Sequence, residues 1–447
     1  MIAILILKQH NTTYRMKRLA VYSSLLIFLL PGRLYSQEKL TLSLEGAKTH
    51  ALEYNKQVKN AALAVELAQK RVNESISAFL PQADLAMDYS NYMGAEMEIR
   101  FSEEMPPTVI PFNPTSNLYA TVSQMLFSGN FIVGLQMMRI YKDMSGTNYL
   151  RTEQNIRDLT IQAYQNALVT DLSIQIIGEN LDNTRKILEN TRAMVLVGVA
   201  EKLDLDQFEV QLSTLENAMK SAERQQELAY NLLRYHLGVP VDTPLELTDP
   251  LDYFLDNVDL TDILDQPFDL QSNLDYQVML SQEKLSERQV SLKKMNFLPT
   301  LSSYYTYTSK IMKSDFDISP KNVIGLNLSI PILSSGMRYS QVNQARIQHE
   351  TTLNNKSLLE EQLLLQERQL RFNLASAYDQ YLNRKRNVEV TLRIYDSYQF
   401  KYEQGVSSSL DLATANNNYL QAESDYLTSI MTLLNARREL QKLMNKL

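Results

Sequence analysis

Hydrophobic positions along this chain follow two periods that alternate twice. From Leu44 to Ala78 the apolar residues recur at helical spacing. The segment ends at Phe79-Leu80-Pro81, where proline stops the helix and holds the preceding residue extended. The period then drops to two: Leu85, Met87 and Tyr89 alternate with Asp84, Ala86 and Asp88. A weaker return strand sets Leu118, Ala120 and Val122 against Tyr119, Thr121 and Ser123. After Leu126-Phe127-Ser128-Gly129 the helical period resumes from Asn130 to Val197, breaks at Gly198, and runs back from Leu203 to Leu237.

The whole succession recurs. A helical stretch from about Leu270 to Asn296 ends at Phe297-Leu298-Pro299, and Leu301, Ser303, Tyr305 and Tyr307 then alternate with Ser302, Tyr304, Thr306 and Thr308. The return strand is clearer here, with Ile324, Leu326, Leu328 and Ile330 on one face and Gly325, Asn327 and Ser329 on the other, one side suited to hydrocarbon and one to water. Past Ile332-Leu333-Ser334-Ser335 a helix is predicted from Gly336 to Gln404, a turn at Gly405, and a return from Leu410 to about Leu443. The paired landmarks are offset by 218, 206 and 207 residues, so two copies of about two hundred residues lie in tandem. The intervals Gly129 to Gly198 and Ser335 to Gly405 are 69 and 70 residues, so two rods of about 100 Å, at about 1.5 Å per residue, have been held to one length.

The copies differ at their hairpin loops. Residues 94–117 contain Glu96, Glu98, Glu103, Glu104 and four prolines, whereas 309–321 is short, and length changes cost least at a loop tip. Heptad spacing on the return helices gives two seams. One is Leu410, Ala413, Asn417, Leu420, Ser424, Leu427, Met431 and Leu434. The other is Leu205, Phe208, Leu212, Leu215, Met219 and Ala222, whose softer counterpart is Leu412, Ala415, Tyr419, Ala422, Tyr426 and Ser429. A helix with two seams touches two neighbours, as in a closed ring of rods. The predicted organisation is a first repeat over 37–237 (strand hairpin about 82–127, tip near 198), a proline- and acid-rich linker over 238–267 at the waist of the rods, and a second repeat over 268–447 (strand hairpin about 299–332, tip near 405).

Composition agrees with long helices, because no proline occurs between Pro114 and Pro240 or after Pro331. There is no cysteine, hence no disulfide framework, thiol nucleophile or lipid-modified cysteine. Met16-Lys17-Arg18, the apolar run Leu19 to Leu30 and Ser36 read as an export signal over 1–36 with Met16 the start; twelve apolar residues are too few to span a bilayer. Its removal leaves 39 basic against 51 acidic residues, a net charge of −12, which argues against nucleic acid as a partner. His50, His236 and His349 lack ligand spacing, and no phosphate loop or nucleophile triad is present, so neither an enzyme nor a bound cofactor or metal is expected.

Four strands cannot close a sheet, and an open edge in hydrocarbon leaves unpaired amides at several kcal/mol per group. Two copies would bring eight strands and three would bring twelve, so the pattern demands an oligomer without choosing its order. Leu42-Ser43-Leu44-Glu45-Gly46-Ala47 with Ala51-Leu52-Glu53-Tyr54-Asn55, the doubled Phe-Leu-Pro, Leu-Phe-Ser-Gly, Leu237-Gly238-Val239-Pro240, and the doubled Gly-Val before Leu-Asp-Leu together resemble the outer membrane efflux proteins, TolC-like, over residues 38–447. The resemblance implies a mainly α chain with a transmembrane β part: a homotrimer with a twelve-stranded barrel in the outer membrane of a Gram-negative envelope and an α-barrel through the periplasm. It also implies docking onto a periplasmic adaptor (membrane fusion protein) and an inner-membrane transporter.

On that resemblance Gly198, Val199, Leu203, Gly405, Val406 and Leu410 are the adaptor-docking tips, the glycines also turning the chain. Asp204, Tyr402, Asp411 and Thr414 are the gate candidates, with a Tyr402–Asp204 bond expected; the two aspartates read equally as helix N-terminal acids. The family's lock arginine is Ser407 here, its partner Leu203, and the second acid of the constriction ring Thr414, so a weaker or different closure is expected. Tyr89, Tyr92, Tyr304, Tyr305 and Tyr307 are candidates for an aromatic belt at the outer-membrane lipid interface. The competing reading is an exported periplasmic coiled-coil scaffold without a channel.

Overall fold

The computed structural model describes residues 39–100, 102, 106–256, 263–312 and 319–447. The export signal over 1–36 and the loop acids Glu103 and Glu104 lie outside the described residues. The chain divides into two units. Within the small one, the Leu40 amide of β1 (Leu40–Leu42) donates to Pro244 O at 2.9 Å, and Lys39 Nζ lies 3.0 Å from Glu246 of β6 (Leu245–Leu247). The large unit carries the remaining elements.

Two helical hairpins dominate it: α3 (Gly129–Leu196) with α4 (Lys202–Leu237), and α7 (Met337–Glu403) with α8 (Ser409–Leu443). The 68 and 67 residues of α3 and α7 correspond to rods of about 100 Å. Shorter helices complete each repeat. Helices α1 (Leu44–Tyr54) and α2 (Lys56–Ser77) pack along α3, and α6 (Leu274–Met295) packs against both α3 and α7. Side chains close the helix starts: Ser43 accepts from Gly46 N, Asn55 from Gln57 N, Ser128 from Phe131 N and Asn273 from Tyr276 N, each satisfying an amide the helix leaves orphaned.

The strands are β2 (Gln82–Ser90), β3 (Glu96–Ile99), β4 (Thr108–Pro111), β5 (Thr115–Ser128), β7 (Thr300–Met312) and β8 (Asn322–Ser329). β2, β5, β7 and β8 form one antiparallel sheet in that order. The β3–β4 pair is an addition to the sequence reading, which treated 94–117 as a loop; its prolines leave room only for a short two-stranded arm. The linker likewise holds structure, in β6 and in α5 (Leu251–Asp256). Arg371 of α7 donates to the carbonyls of Leu264 and Gln266, tying the end of the linker to the second rod.

The two hairpins meet along α3 and α8, and the two seams of α8 are covered unequally. Leu412, Ala415, Ala422 and Ser429 are buried, whereas on the other seam Leu410, Asn417 and Ser424 are exposed and Ala413 and Leu434 are buried. The softer seam faces the chain's own partner hairpin because alanine and serine let the helices approach closely. At the waist, buried Asp158 of α3 accepts from buried Arg438 and, at 2.7 Å, from half-exposed Lys442 of α8, a charge cluster joining first repeat to second.

Candidate functional site

The sheet brings the two repeats together through β5 and β7, where Ala120 faces Tyr307 and Val122 faces Tyr305, and leaves β2 and β8 as unpaired edges. Register decides which residues share a face. Across the four strands, Leu85, Leu118, Val122, Tyr305, Ile324 and Leu326 fall on one side. Asp84, Asp88, Thr121, Thr306 and Asn327 fall on the other, where the Thr121 and Thr306 hydroxyls meet at 3.0 Å. The apolar side is open: Leu85 is 71% exposed and Ile324 83%.

The five candidate tyrosines do not share a face or a level. Tyr305 and Tyr307 lie on the apolar side, opposite Val122 and Ala120. Tyr89 also lies there, but four residues further along β5, opposite Ser116. Tyr92 follows the end of β2 and meets Phe112 with ring centroids 5.5 Å apart. Tyr304 points to the polar side opposite Gly325, and a Cβ on that glycine would come within 2.5 Å of the tyrosine ring. Residues 304 and 305 are adjacent in a strand, so their side chains leave opposite faces.

At the far ends of the rods the chain turns twice in the same way. Gly198 has φ +77° and Gly405 +70°, left-handed values that glycine adopts without Cβ strain. Val199 N reaches Met194 O at 2.9 Å and Val406 N reaches Lys401 O at 2.9 Å, so each rod ends in a Schellman motif. Val199, Leu203, Val406 and Leu410 are all exposed, an apolar quartet on two equivalent tips.

The gate candidates sit just behind. Asp204 and Asp411 both occupy the third helical position of a capping box: Asp204 accepts from Glu201 N at 3.0 Å, and Asp411 from Ser408 N at 3.3 Å and also from the Ser408 hydroxyl at 2.7 Å. The Ser408 hydroxyl holds the Asp411 carboxyl below its ordinary value, with the Ser408 amide adding to it. Asp204 does more than cap, since its second oxygen accepts from the Ser409 hydroxyl of the other hairpin. The expected Tyr402–Asp204 bond is not made. Tyr402 pairs instead with Thr191 at 2.9 Å, its ring edge-on to Phe208 at 5.7 Å in a cluster with Ile187, Tyr395 and Leu412. Burial pushes the Tyr402 phenol up, and the Asp204 charge adds to the shift. Thr414 is exposed and returns its hydroxyl to Leu410 O at 2.7 Å.

Sequence reasoning missed Thr191, Ser409 and, further up the seam, buried Asn180 and Glu423 with half-buried Tyr419. There the Asn180 amide donates to Glu423 Oε2 at 2.9 Å and the Tyr419 hydroxyl joins the same carboxylate. Desolvation raises the Glu423 carboxyl. The available signal was a polar residue beside a seam position, Glu423 next to Ala422. Among the described residues no helix is long and apolar enough to cross a membrane, and no group of three or more His, Asp or Glu side chains is placed to hold a metal.

Comparison with known proteins agrees with this architecture. No curated protein matches the sequence. The fold is similar to that of the Campylobacter jejuni CmeC outer membrane channel, with TM-score 0.69 and 19% identity over 90% of this chain and 85% of that one. It is also similar to the outer membrane protein VceC of Vibrio cholerae, at TM-score 0.71 and 13% identity over 90% and 95% of the two chains. The open state of the Neisseria gonorrhoeae MtrE outer membrane channel gives TM-score 0.70 and 17% identity over 90% and 88%. The sequence itself matches the outer membrane efflux protein family over residues 49–239 and 269–446, one stretch in each repeat, and the chain is a member of that family.

Proposed function

We propose that this protein is the exit duct of a tripartite efflux or type I secretion system. In this reading three copies close a twelve-stranded barrel in the outer membrane, and their helical hairpins continue it as an α-barrel through the periplasm. The reading rests above all on the sheet, whose one face is apolar and open to its surroundings while, among the described residues, both edge strands lack an outer partner. An apolar face needs lipid or protein, and an unpaired edge in lipid costs several kcal/mol per amide. Three copies joined β8 to β2 remove every edge. The 14 residues of β5 extend about 48 Å at about 3.4 Å each, and a tilt of about 40° leaves about 36 Å of height, enough for an apolar band of about 25 Å. Tyr305 and Tyr307 then face lipid, Tyr89 and Tyr92 approach the outer interface, and Tyr304 faces the lumen.

The exposed valines and leucines at the tips suit a periplasmic adaptor that presents apolar helical hairpins, with an inner-membrane transporter behind it supplying energy and choosing cargo. The duct itself conducts passively. Membrane fractionation and conductance measurements test the proposal together. The protein is expected to sediment with outer membranes, to need detergent for release, and to run as a trimer that forms channels in planar bilayers. Release with the soluble periplasm and no conductance would instead establish the coiled-coil scaffold.

A further inference from the structure

The duplication places the same chemistry on both rods, but the chain buries only one set. Asn180, Thr184 and Ile187 of α3 recur 207 residues later as Asn387, Thr391 and Ile394 of α7, and Glu216 of α4 recurs at the same offset as Glu423 of α8. In the intrachain seam these residues are closed off: Asn180 is 4% exposed, Glu423 7%, and the two are hydrogen bonded. Their counterparts are more open, Thr391 being half-buried with its hydroxyl on Asn387 O at 2.8 Å. Asn387 and Ile394 are exposed, and among the described residues Glu216 makes a surface contact with Arg185 at 3.6 Å, of a kind that contributes little in water.

We propose that Asn387, Thr391 and Ile394 on α7 of one copy dock against Glu216 on α4 of the next copy of this chain. The Asn387 amide then donates to the Glu216 carboxylate as Asn180 donates to Glu423 within the chain. The inference rests on the trimeric reading above and goes beyond it by naming the residues that meet. The tips supply independent complementarity. Within the chain Asp204 accepts from Ser409, and the positions 207 residues away are Asp411 and Lys202, so the same repeat operation sets an aspartate of one copy against a lysine of the next. A closed ring therefore alternates two kinds of seam. One is hydrogen bonded at the tip and lies within a chain; the other is charge paired at the tip and lies between chains.

The chain has no cysteine, which makes the test clean. Two differently tagged full-length chains, one carrying Glu216→Cys and the other Asn387→Cys, are coexpressed and treated in membranes with a short bifunctional thiol reagent. The expected result is a shift of both tags to a common dimer band, while Asn180→Cys with Glu423→Cys in one chain cross-links without leaving the monomer position. Trimers by sizing without the mixed dimer band would overturn the inference and leave the trimeric reading intact. Monomers alone would overturn both. A second measurement uses chemistry instead of reagents: Asn387→Asp sets two carboxylates face to face and is expected to shift the protein from trimer toward monomer, and adding Glu216→Gln is expected to restore the trimer. Trimer content unmoved by Asn387→Asp would count against the contact.

Discussion

The hydroxyl of Tyr402 lies 2.9 Å from that of Thr191, and the threonine is fully closed to solvent. This bond joins the long helix of the second repeat to that of the first within one turn or two of the tips. Tyr402→Phe removes one partner and leaves a buried hydroxyl unpaired, at about 1–3 kcal/mol. Tyr402→Phe with Thr191→Val removes both and is expected to recover much of that loss. Urea unfolding of the purified protein measures it, and in bilayers the single variant is expected to open more often than the double. A single variant as stable as the parent would show that the bond contributes nothing.

The tips separate strain from recognition. A Cβ on Gly198 or Gly405 meets nothing within 4 Å, so alanine there bears only the left-handed backbone, about 1–2 kcal/mol. Gly198→Ala and Gly405→Ala are expected to keep trimers and export. Gly198→Leu and Gly405→Leu bear the same backbone cost and add bulk where the adaptor is proposed to sit, so they are expected to assemble normally and lose export. Co-purification of the tagged leucine variants with a periplasmic adaptor, read beside trimer yield, checks this; adaptor capture equal to the parent's would remove adaptor docking from the tips.

On the sheet, adjacent residues should respond oppositely to the same charge. Leu326 is exposed on the apolar face, and Leu326→Lys is expected to cost about 2–4 kcal/mol of membrane insertion, whereas Asn327→Lys on the polar face is expected to insert normally. Gly325→Val forces a side chain into the Tyr304 ring, and adding Tyr304→Ala is expected to restore assembly. Heat-resistant trimer on gels reads each case. Equal tolerance of lysine at 326 and 327 would mean that this face does not meet lipid.

Much of this architecture was legible in the chain, and the exceptions share a cause. Phe-Leu-Pro, Gly-Val and the switch of period locate the helices, strands and turns because each is a local signal. Which seam of α8 packs within the chain was not local: Leu410 and Leu412 both belong to apolar stripes, and only close approach to α3 selects the stripe with Ala415 and Ala422. The Tyr402 partner failed for the same reason, since family position brings Asp204 near the phenol while the rotamer reaches Thr191. Tyr304 was grouped with Tyr305 by residue type, although strand alternation alone separates them.

Glu423 gives the seam a pH dependence. Desolvation raises its carboxyl above 4.5, against opposing hydrogen bonds from Tyr419 and Asn180, with Glu179 adding a like charge. An acid raised in the folded state favours folding most when protonated. Its contribution is complete below pH 4.5 and is lost as pH rises through the folded value. Glu423→Gln keeps an oxygen and an amide at the same place without the proton to lose. Relative to the parent, this variant is expected to gain stability as pH rises from about 4.5, and to hold a constant advantage once Glu423 is ionised in both states of the parent. Melting temperatures of parent and variant across about pH 4 to 8 measure the difference, in which the other carboxylates cancel. Curves that run parallel throughout would mean that water reaches Glu423 and that its burial in the seam does not hold in solution.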